Sequence, residues 1–153
     1  MNNERLFAES SLEEITDLID TNLKSKNESP FWLDKVVPFS RAILSVLIPL
    51  REQKLLFTPE GIHQDTLTAE LFFTWMDFVS LKTLYFIIAE SNEKGTLVRT
   101  KVLETAAYKP IDTKILGDYL YKYNVNLQNE NLDFPIANYN VHQGVKNVIK
   151  SLL

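Results

Sequence analysis

Apolar residues along this chain recur mostly every three or four positions, which is the period of an α-helix. The first such run opens with Ser11 and Glu14, the residue pair of a capping box. Acidic residues crowd the start of the run and lysines its end, as the helix dipole prefers. The pattern predicts an amphipathic helix over residues 11–26. Alternating patterns typical of strands are almost absent.

The next helix is predicted in the most apolar long stretch of the chain, SPFWLDKVVPFSRAILSVLIPL at 29–50. Ser29 is placed to cap it, and Pro30 falls in the first turn, where proline is tolerated. At about 100° per residue, one face is apolar. That face contains Trp32, Val36, Phe39, Ile43, Val46, Leu47 and Leu50. The charged residues of the stretch leave an uncharged run that is too short for a membrane span.

Two prolines interrupt this second helix, and both lie beside its polar face. Pro38 and Pro49 have no N–H, so the carbonyls of Asp34 and Ser45 lose their helical donors. These carbonyls are on the polar side, where water can reach them. A helix bends away from its proline, so we expect a bend near residues 34–38 that wraps the apolar face around the core.

The remainder of the chain is also predicted to be helical. The segment SLKTLYFIIAES is apolar almost all round, so we expect it to be the central core helix. Residues 1–9 are expected to be a flexible lead-in. The whole chain, 1–153, is predicted to be a single compact all-α domain of about six or seven helices. The later helices are predicted at 69–78, 80–91, 96–108 and 113–123, and from about residue 138 or 140 to the end.

Composition and charge exclude several classes of function. The chain has no cysteine, which excludes disulfides, thiolate metal sites and cysteine nucleophiles. The net charge of −4 comes entirely from residues 1–30, which hold seven acidic and three basic side chains. A protein that binds duplex DNA needs a basic stripe to release counterions, and none is present.

We find no pattern typical of an active site. The four glycines are isolated, so no phosphate-binding loop is predicted. His63 and His142 lack metal-ligand spacing, and we expect the first to be a solvated loop residue and the second a cap or surface residue. The tyrosines of DYLYKY alternate, which on a helix spreads the rings apart. No catalytic residue, cofactor site or metal site is predicted.

Three groups of residues are candidates for contact with a protein partner. An acidic face on the first predicted helix suits a basic partner. An apolar run beyond the second helix is a candidate if it is exposed, although it could equally fold back onto the core. A charged turn near residue 95 is the third. The three groups are Glu13, Asp17 and Asp20; Leu55, Leu56 and Phe57; and Glu93, Lys94, Arg99 and Lys101.

The stretches SSLEEITDLIDTNL and ESPFWLDKVVPFSRAILSVLIPLRE, together with further motifs along nearly the whole chain, resemble the type IV secretion coupling proteins of the TraG/TraD type. In that family a short helix precedes a pattern like N-P-F-W and a helix of the form a-L-l-s-A-L-l. The stretch LTAELFFTWMDFVSLKTL is similar to the family's l-T-l…l…w-l…l-e-L. The matching residues of the first pattern are Pro30, Phe31, Trp32, Ala42, Ile43, Leu44, Val46 and Leu47.

The end of the chain, YNVHQGVKNVIKSLL, resembles a family segment that precedes the return to the motor domain. His142 and Gly144 stand where the family has adjacent histidine and glycine, with Gln143 inserted between them. The richness in asparagine and lysine favours the Cag-type branch.

The resemblance implies that the chain is the all-α domain inserted in a RecA-like motor ATPase, whose Walker motifs and transmembrane helices would lie outside it. Such a domain is non-catalytic and faces the cytoplasm at the bacterial inner membrane. Its expected partners are secretion effectors, adaptors or regulators, together with the parent motor.

A second interpretation is a free-standing helical regulator, either a secretion chaperone or a DNA-linked repressor. A reading frame that continues past Leu153 toward a Walker B segment would exclude this alternative.

Overall fold

A computed structural model describes residues 3–26, 29–101, 108–131 and 134–152 of the protein. These residues form helices and loops without a β-strand; Phe57 and His63 make an isolated antiparallel bridge. The predicted all-α domain is therefore confirmed. Its helices are α1 (Asn3–Glu9), α2 (Leu12–Ser25), α3 (Pro30–Glu52), α4 (Ala69–Thr74), α5 (Phe78–Lys94), α6 (Lys114–Lys122) and α7 (Ile136–Leu152).

The capping box predicted for α2 is present. The Ser11 hydroxyl accepts from the Glu14 N–H at 3.1 Å, and the Ser11 N–H donates to the Glu14 carboxylate at 3.4 Å. These two bonds satisfy backbone donors that the first turn would otherwise leave open. The helix then buries Ile15, Ile19 and Leu23 against the core.

Helix α3 is continuous from Pro30 to Glu52, although Pro38 and Pro49 lie inside it. Its predicted apolar face is buried, except that Trp32 is only partly buried. Pro38 is exposed and Pro49 half-buried, as their position beside the polar face predicted. The bend near residues 34–38 stays a prediction. No helix among the described residues is long and apolar enough to span a membrane.

The centre of the fold is α3, which packs against α2, α4, α6 and α7. Our prediction that the 80–91 segment forms the central helix is therefore wrong. That segment lies in α5, which has α6 as its main helical neighbour and has loops covering much of the rest. The near-uniform hydrophobicity of this segment indicated that it is buried, but it does not specify whether helices or loops pack against it.

Residues 3–9 form α1 instead of the predicted flexible lead-in. Phe7 is fully buried, with its ring 5.4 Å from that of Phe72. The Phe7 carbonyl also accepts a hydrogen bond from Arg51 at 2.8 Å. One buried aromatic side chain and this bond dock the short helix onto the domain.

Several predicted helices differ from those observed. The segment 69–78 is interrupted after Thr74, and a new helix begins at Phe78 with Asp77 in the N-cap position but without a side-chain capping bond. Helix α5 continues through the predicted turn to Lys94 and ends at Gly95, whose φ of +74° favours glycine. Residues 96–101 are not helical; there the Val98 N–H donates to the Ser91 hydroxyl and Arg99 pairs with Glu90, both of α5. Residues 102–107 lie outside the described residues. The last helix begins at Ile136, slightly earlier than predicted.

Candidate functional site

The predicted acidic face of α2 is largely occupied by ion pairs. Glu13 accepts two bonds from Arg41 of α3, at 2.7 and 3.1 Å. Arg41 lowers the pKa of the Glu13 carboxyl through the hydrogen bond and its charge. Asp20 pairs with Lys24 at 3.0 Å, while Asp17 is exposed. The face thus joins α2 to α3, and two of its three carboxylates already have cationic partners.

The apolar run beyond α3 folds back onto the core. Leu55, Leu56 and Phe57 are each at most 3% exposed, so the expectation of a partner surface there is corrected. The reason is local: the Leu55 N–H donates to the Leu50 carbonyl, which turns the chain back at the helix end. The Phe57 carbonyl then accepts from the buried Trp75 indole at 3.1 Å.

The charged turn after α5 is an ion-pair network. Glu90 accepts from Lys94 at 3.0 Å and from Arg99 at 2.7 Å, and Arg99 also contacts Glu130. These cations lower the pKa values of Glu90 and Glu130. The other two residues of this predicted group, Glu93 and Lys101, are exposed. The network joins α5 to the loop before α7, which accounts for Lys94 and Arg99 without a partner.

A surface cleft of about 320 Å³ lies between α3 and α6. Sequence reasoning did not identify it, because it forms only when two helices distant in the chain meet. The single signal was Pro38 at the edge of the polar face of α3. The lining residues are Val37, Pro38, Arg41, Ile115, Asp118, Tyr119 and Lys122.

Helix α6 is positioned by a cap and by a close approach to α5. The Asp112 carboxylate accepts from the Lys114 N–H at 2.9 Å, although the N-cap position itself is Thr113, whose side chain makes no capping bond. A Cβ at Gly117 would lie 3.1 Å from the Tyr85 ring of α5, so glycine permits this approach. Tyr119 and Tyr123 face inward with ring centroids 4.8 Å apart, while Tyr121 is exposed, so the predicted spreading holds for Tyr121 and is wrong for the other two, which are four residues apart on one helix face.

Three charged side chains line the cleft. Arg41 is engaged by Glu13, as described above. Asp118 accepts from Lys114 at 2.8 Å. Within the described parts of the chain, Lys122 has no carboxylate at ion-pair distance. The cleft therefore combines an apolar floor with one cation that is available to a partner.

Behind the cleft wall lies a buried histidine. His142 of α7 is fully buried, so the expectation of a cap or surface residue is wrong. Its Nδ1 is 2.8 Å from the Tyr119 hydroxyl, and its Nε2 contacts the Met76 carbonyl. A carbonyl can only accept, so Nε2 carries the proton and Nδ1 accepts from Tyr119. The ring stacks on Phe78 with centroids 3.9 Å apart.

Burial determines the charge of this histidine. Desolvation lowers the pKa of His142 to about 4, outweighing the Met76 carbonyl and the charge of Asp77, which favour the cation. Burial also raises the pKa of Tyr119 well above its usual range. Near neutral pH both groups are uncharged and orient each other. This bond fixes the ring that forms one wall of the cleft.

Trp32 and Gly144, which belong to the first and last of the sequence motifs described above, lie in contact in the fold. A Cβ at Gly144 would lie 2.3 Å from the Trp32 indole, so this ring packs directly on the glycine. Trp32 comes from the P-F-W pattern, and Gly144 follows His142. The residues that carry the resemblance are thus packing residues that join α3 to α7.

Among the described residues, no histidine, aspartate or glutamate side chains form a group of three that could hold a metal ion. His63 is exposed, as predicted, and its Nε2 is 3.3 Å from the Lys54 carbonyl. The α3–α6 cleft is the candidate site.

Comparison with known proteins returned no match to a family model, a curated protein or a solved structure. The resemblance to coupling proteins rests on the sequence motifs alone.

Proposed function

We propose that this chain is a non-catalytic docking domain of a type IV secretion coupling protein. In this role it recruits secretion substrates, adaptors or regulators to the motor ATPase at the cytoplasmic face of the inner membrane. The α3–α6 cleft is the observation that carries the proposal. It exposes apolar side chains beside charged ones on a rigid helical frame, as protein-docking sites do.

Two further features support the same function. The sequence motifs resemble those of the coupling-protein insertion, and the all-α fold has the architecture that this resemblance implies. The P-F-W and H-x-G motifs also pack together, which is expected if both belong to one folded unit.

Site-specific photo-crosslinking tests the proposal. A photoreactive amino acid at Ile115, which is 41% exposed in the cleft, is compared with one at Ile62, which is 50% exposed elsewhere. In cells that carry the secretion system, Ile115 should crosslink to a secretion-system protein and Ile62 should not. Crosslinks identified by mass spectrometry only to unrelated proteins, or equally from both positions, would refute the proposal.

A substitution provides the matched functional arm. Ile115→Glu places a charge on the cleft floor and should reduce recovery of the partner in a pull-down, while Ile62→Glu should leave it unchanged. Both side chains are exposed, so both variants should keep the melting temperature of the parent. Equal recovery with both variants would exclude the cleft as the docking site.

A further inference from the structure

The floor of the cleft is apolar and partly open to solvent. Val37 and Pro38 contribute from α3 and Ile115 from the first turn of α6. Pro38 and Ile115 are both exposed and line the same cleft. An aliphatic or aromatic side chain of a partner would remove this apolar surface from water.

The charges at the rim select the sign of the partner. Both terminal guanidinium nitrogens of Arg41, Nη1 and Nη2, already donate to Glu13, and Asp118 accepts from Lys114. Lys122, in the last turn of α6, lacks a carboxylate partner among the residues described. Lys122 is exposed, and its ammonium group, a donor of three N–H bonds, is complementary to the charge of a partner carboxylate.

We propose that the cleft binds an acidic amphipathic segment of a partner protein. In this arrangement, which rests on the proposed function, an apolar side chain packs on Pro38 and Ile115 and a neighbouring carboxylate pairs with Lys122. This inference reverses the expectation from sequence, where the acidic face of α2 suggested a basic partner. That face is instead tied into α3 through Arg41.

A pair of small probes tests the charge preference directly. Phenylbutyrate and its uncharged amide have nearly the same shape and differ in the carboxylate. In titrations followed by NMR of isoleucine methyl groups, the Ile115 resonance should shift and the Ile62 resonance should stay unchanged. At low ionic strength the acid should bind about fivefold more tightly than the amide, the range of an exposed ion pair.

Three variants separate the contribution of the ion pair from that of the apolar contact. Lys122→Gln should abolish the preference for the acid but retain binding of both probes, whereas Lys101→Gln, at another exposed lysine, should preserve the preference. Ile115→Ser should weaken the binding of both probes. Equal affinity of acid and amide for the parent protein, or a preference that survives in Lys122→Gln, would overturn the inference. The inference would also be overturned if a short DNA duplex displaced both probes and the protein showed no preference for the acid over the amide.

The partner itself gives an independent result. The segment crosslinked at Ile115 should carry an acidic residue within one helical turn of the crosslinked position. A crosslinked secretion-system segment with only basic or neutral residues there would refute this inference and leave the docking function standing. Absence of secretion-system crosslinks would refute the docking function instead.

Discussion

Acidification tests the buried histidine of α7 most directly. In the unfolded chain His142 takes up a proton below its ordinary pKa of 6.5, whereas burial holds the folded-state pKa at about 4. Between these values the unfolded state binds more protons, so the free energy of unfolding falls as the pH decreases. The stabilisation is fully present above pH 6.5 and is lost as the pH falls to about 4.

The expected magnitude follows from the two pKa values. Their difference corresponds to about 3 kcal/mol, with a slope approaching about 1.4 kcal/mol per pH unit near the middle of the window. This is a large share of the roughly 5–15 kcal/mol that stabilises an ordinary domain. Glu13, Glu90 and Glu130 have pKa values lowered from 4.5, so their stabilisation is present above about pH 4.5 and is lost as the pH falls below it, which overlaps only the acid end of the His142 window.

Urea unfolding between pH 7.5 and 4.5 measures this dependence. Fluorescence of the buried Trp75 reports on the core, and far-ultraviolet circular dichroism checks that unfolding is two-state. His142→Gln removes the titrating group and should flatten the profile between pH 6.5 and 4.5, even though the variant is less stable. His63→Gln, at the exposed histidine, should retain the slope of the parent. A parent profile that is flat in this window, or a slope retained in His142→Gln, would refute the reasoning.

Two further predictions concern packing and the ion-pair network. Gly144→Ala should destabilise the protein by about 1–3 kcal/mol in urea unfolding, because the new Cβ would overlap Trp32, although alanine is the better helix former. In a protein that already carries Trp32→Leu, Gly144→Ala should change the free energy of unfolding very little. If the effects of the two substitutions on this free energy simply add, the clash between Trp32 and the new Cβ is contradicted. Arg99→Gln should speed amide hydrogen exchange in residues 124–131, since Arg99 ties Glu130 to α5, with Lys101→Gln as the control. Unchanged exchange there would mean that Arg99 does not hold the loop.

Local rules predicted the individual helices well where a cap and a clear period coincide. The Ser11 box begins α2, and the Thr68 hydroxyl accepts from the Leu71 N–H at 3.0 Å at the start of α4. The prediction of a single helix over 69–78 failed because the apolar residues continue across the interruption between Thr74 and Phe78. Trp75 and Met76 are fully buried outside the helices, so the hydrophobic pattern does not reveal that the chain turns there.

The candidate site was less predictable than the fold. Leu56 and its neighbours were weighed as a possible surface because loops are usually exposed, yet the chain turns them into the core. The partners of Arg41 and the availability of Lys122 depend on contacts across long sequence separations. Periodicity carries no information about such contacts.

The amino-acid sequence by itself determined the helical class, the amphipathic faces of α2 and α3, and the absence of cysteine chemistry, because these depend on residue type and short-range spacing. Tertiary structure decided that α3 is central, that His142 is buried and uncharged near neutral pH, and that α3 and α6 enclose a cleft. The physical reason is that burial and pairing are properties of groups brought together from distant segments. His142 shows this most clearly: its ring is the same in either setting, and only desolvation by the surrounding helices lowers its pKa.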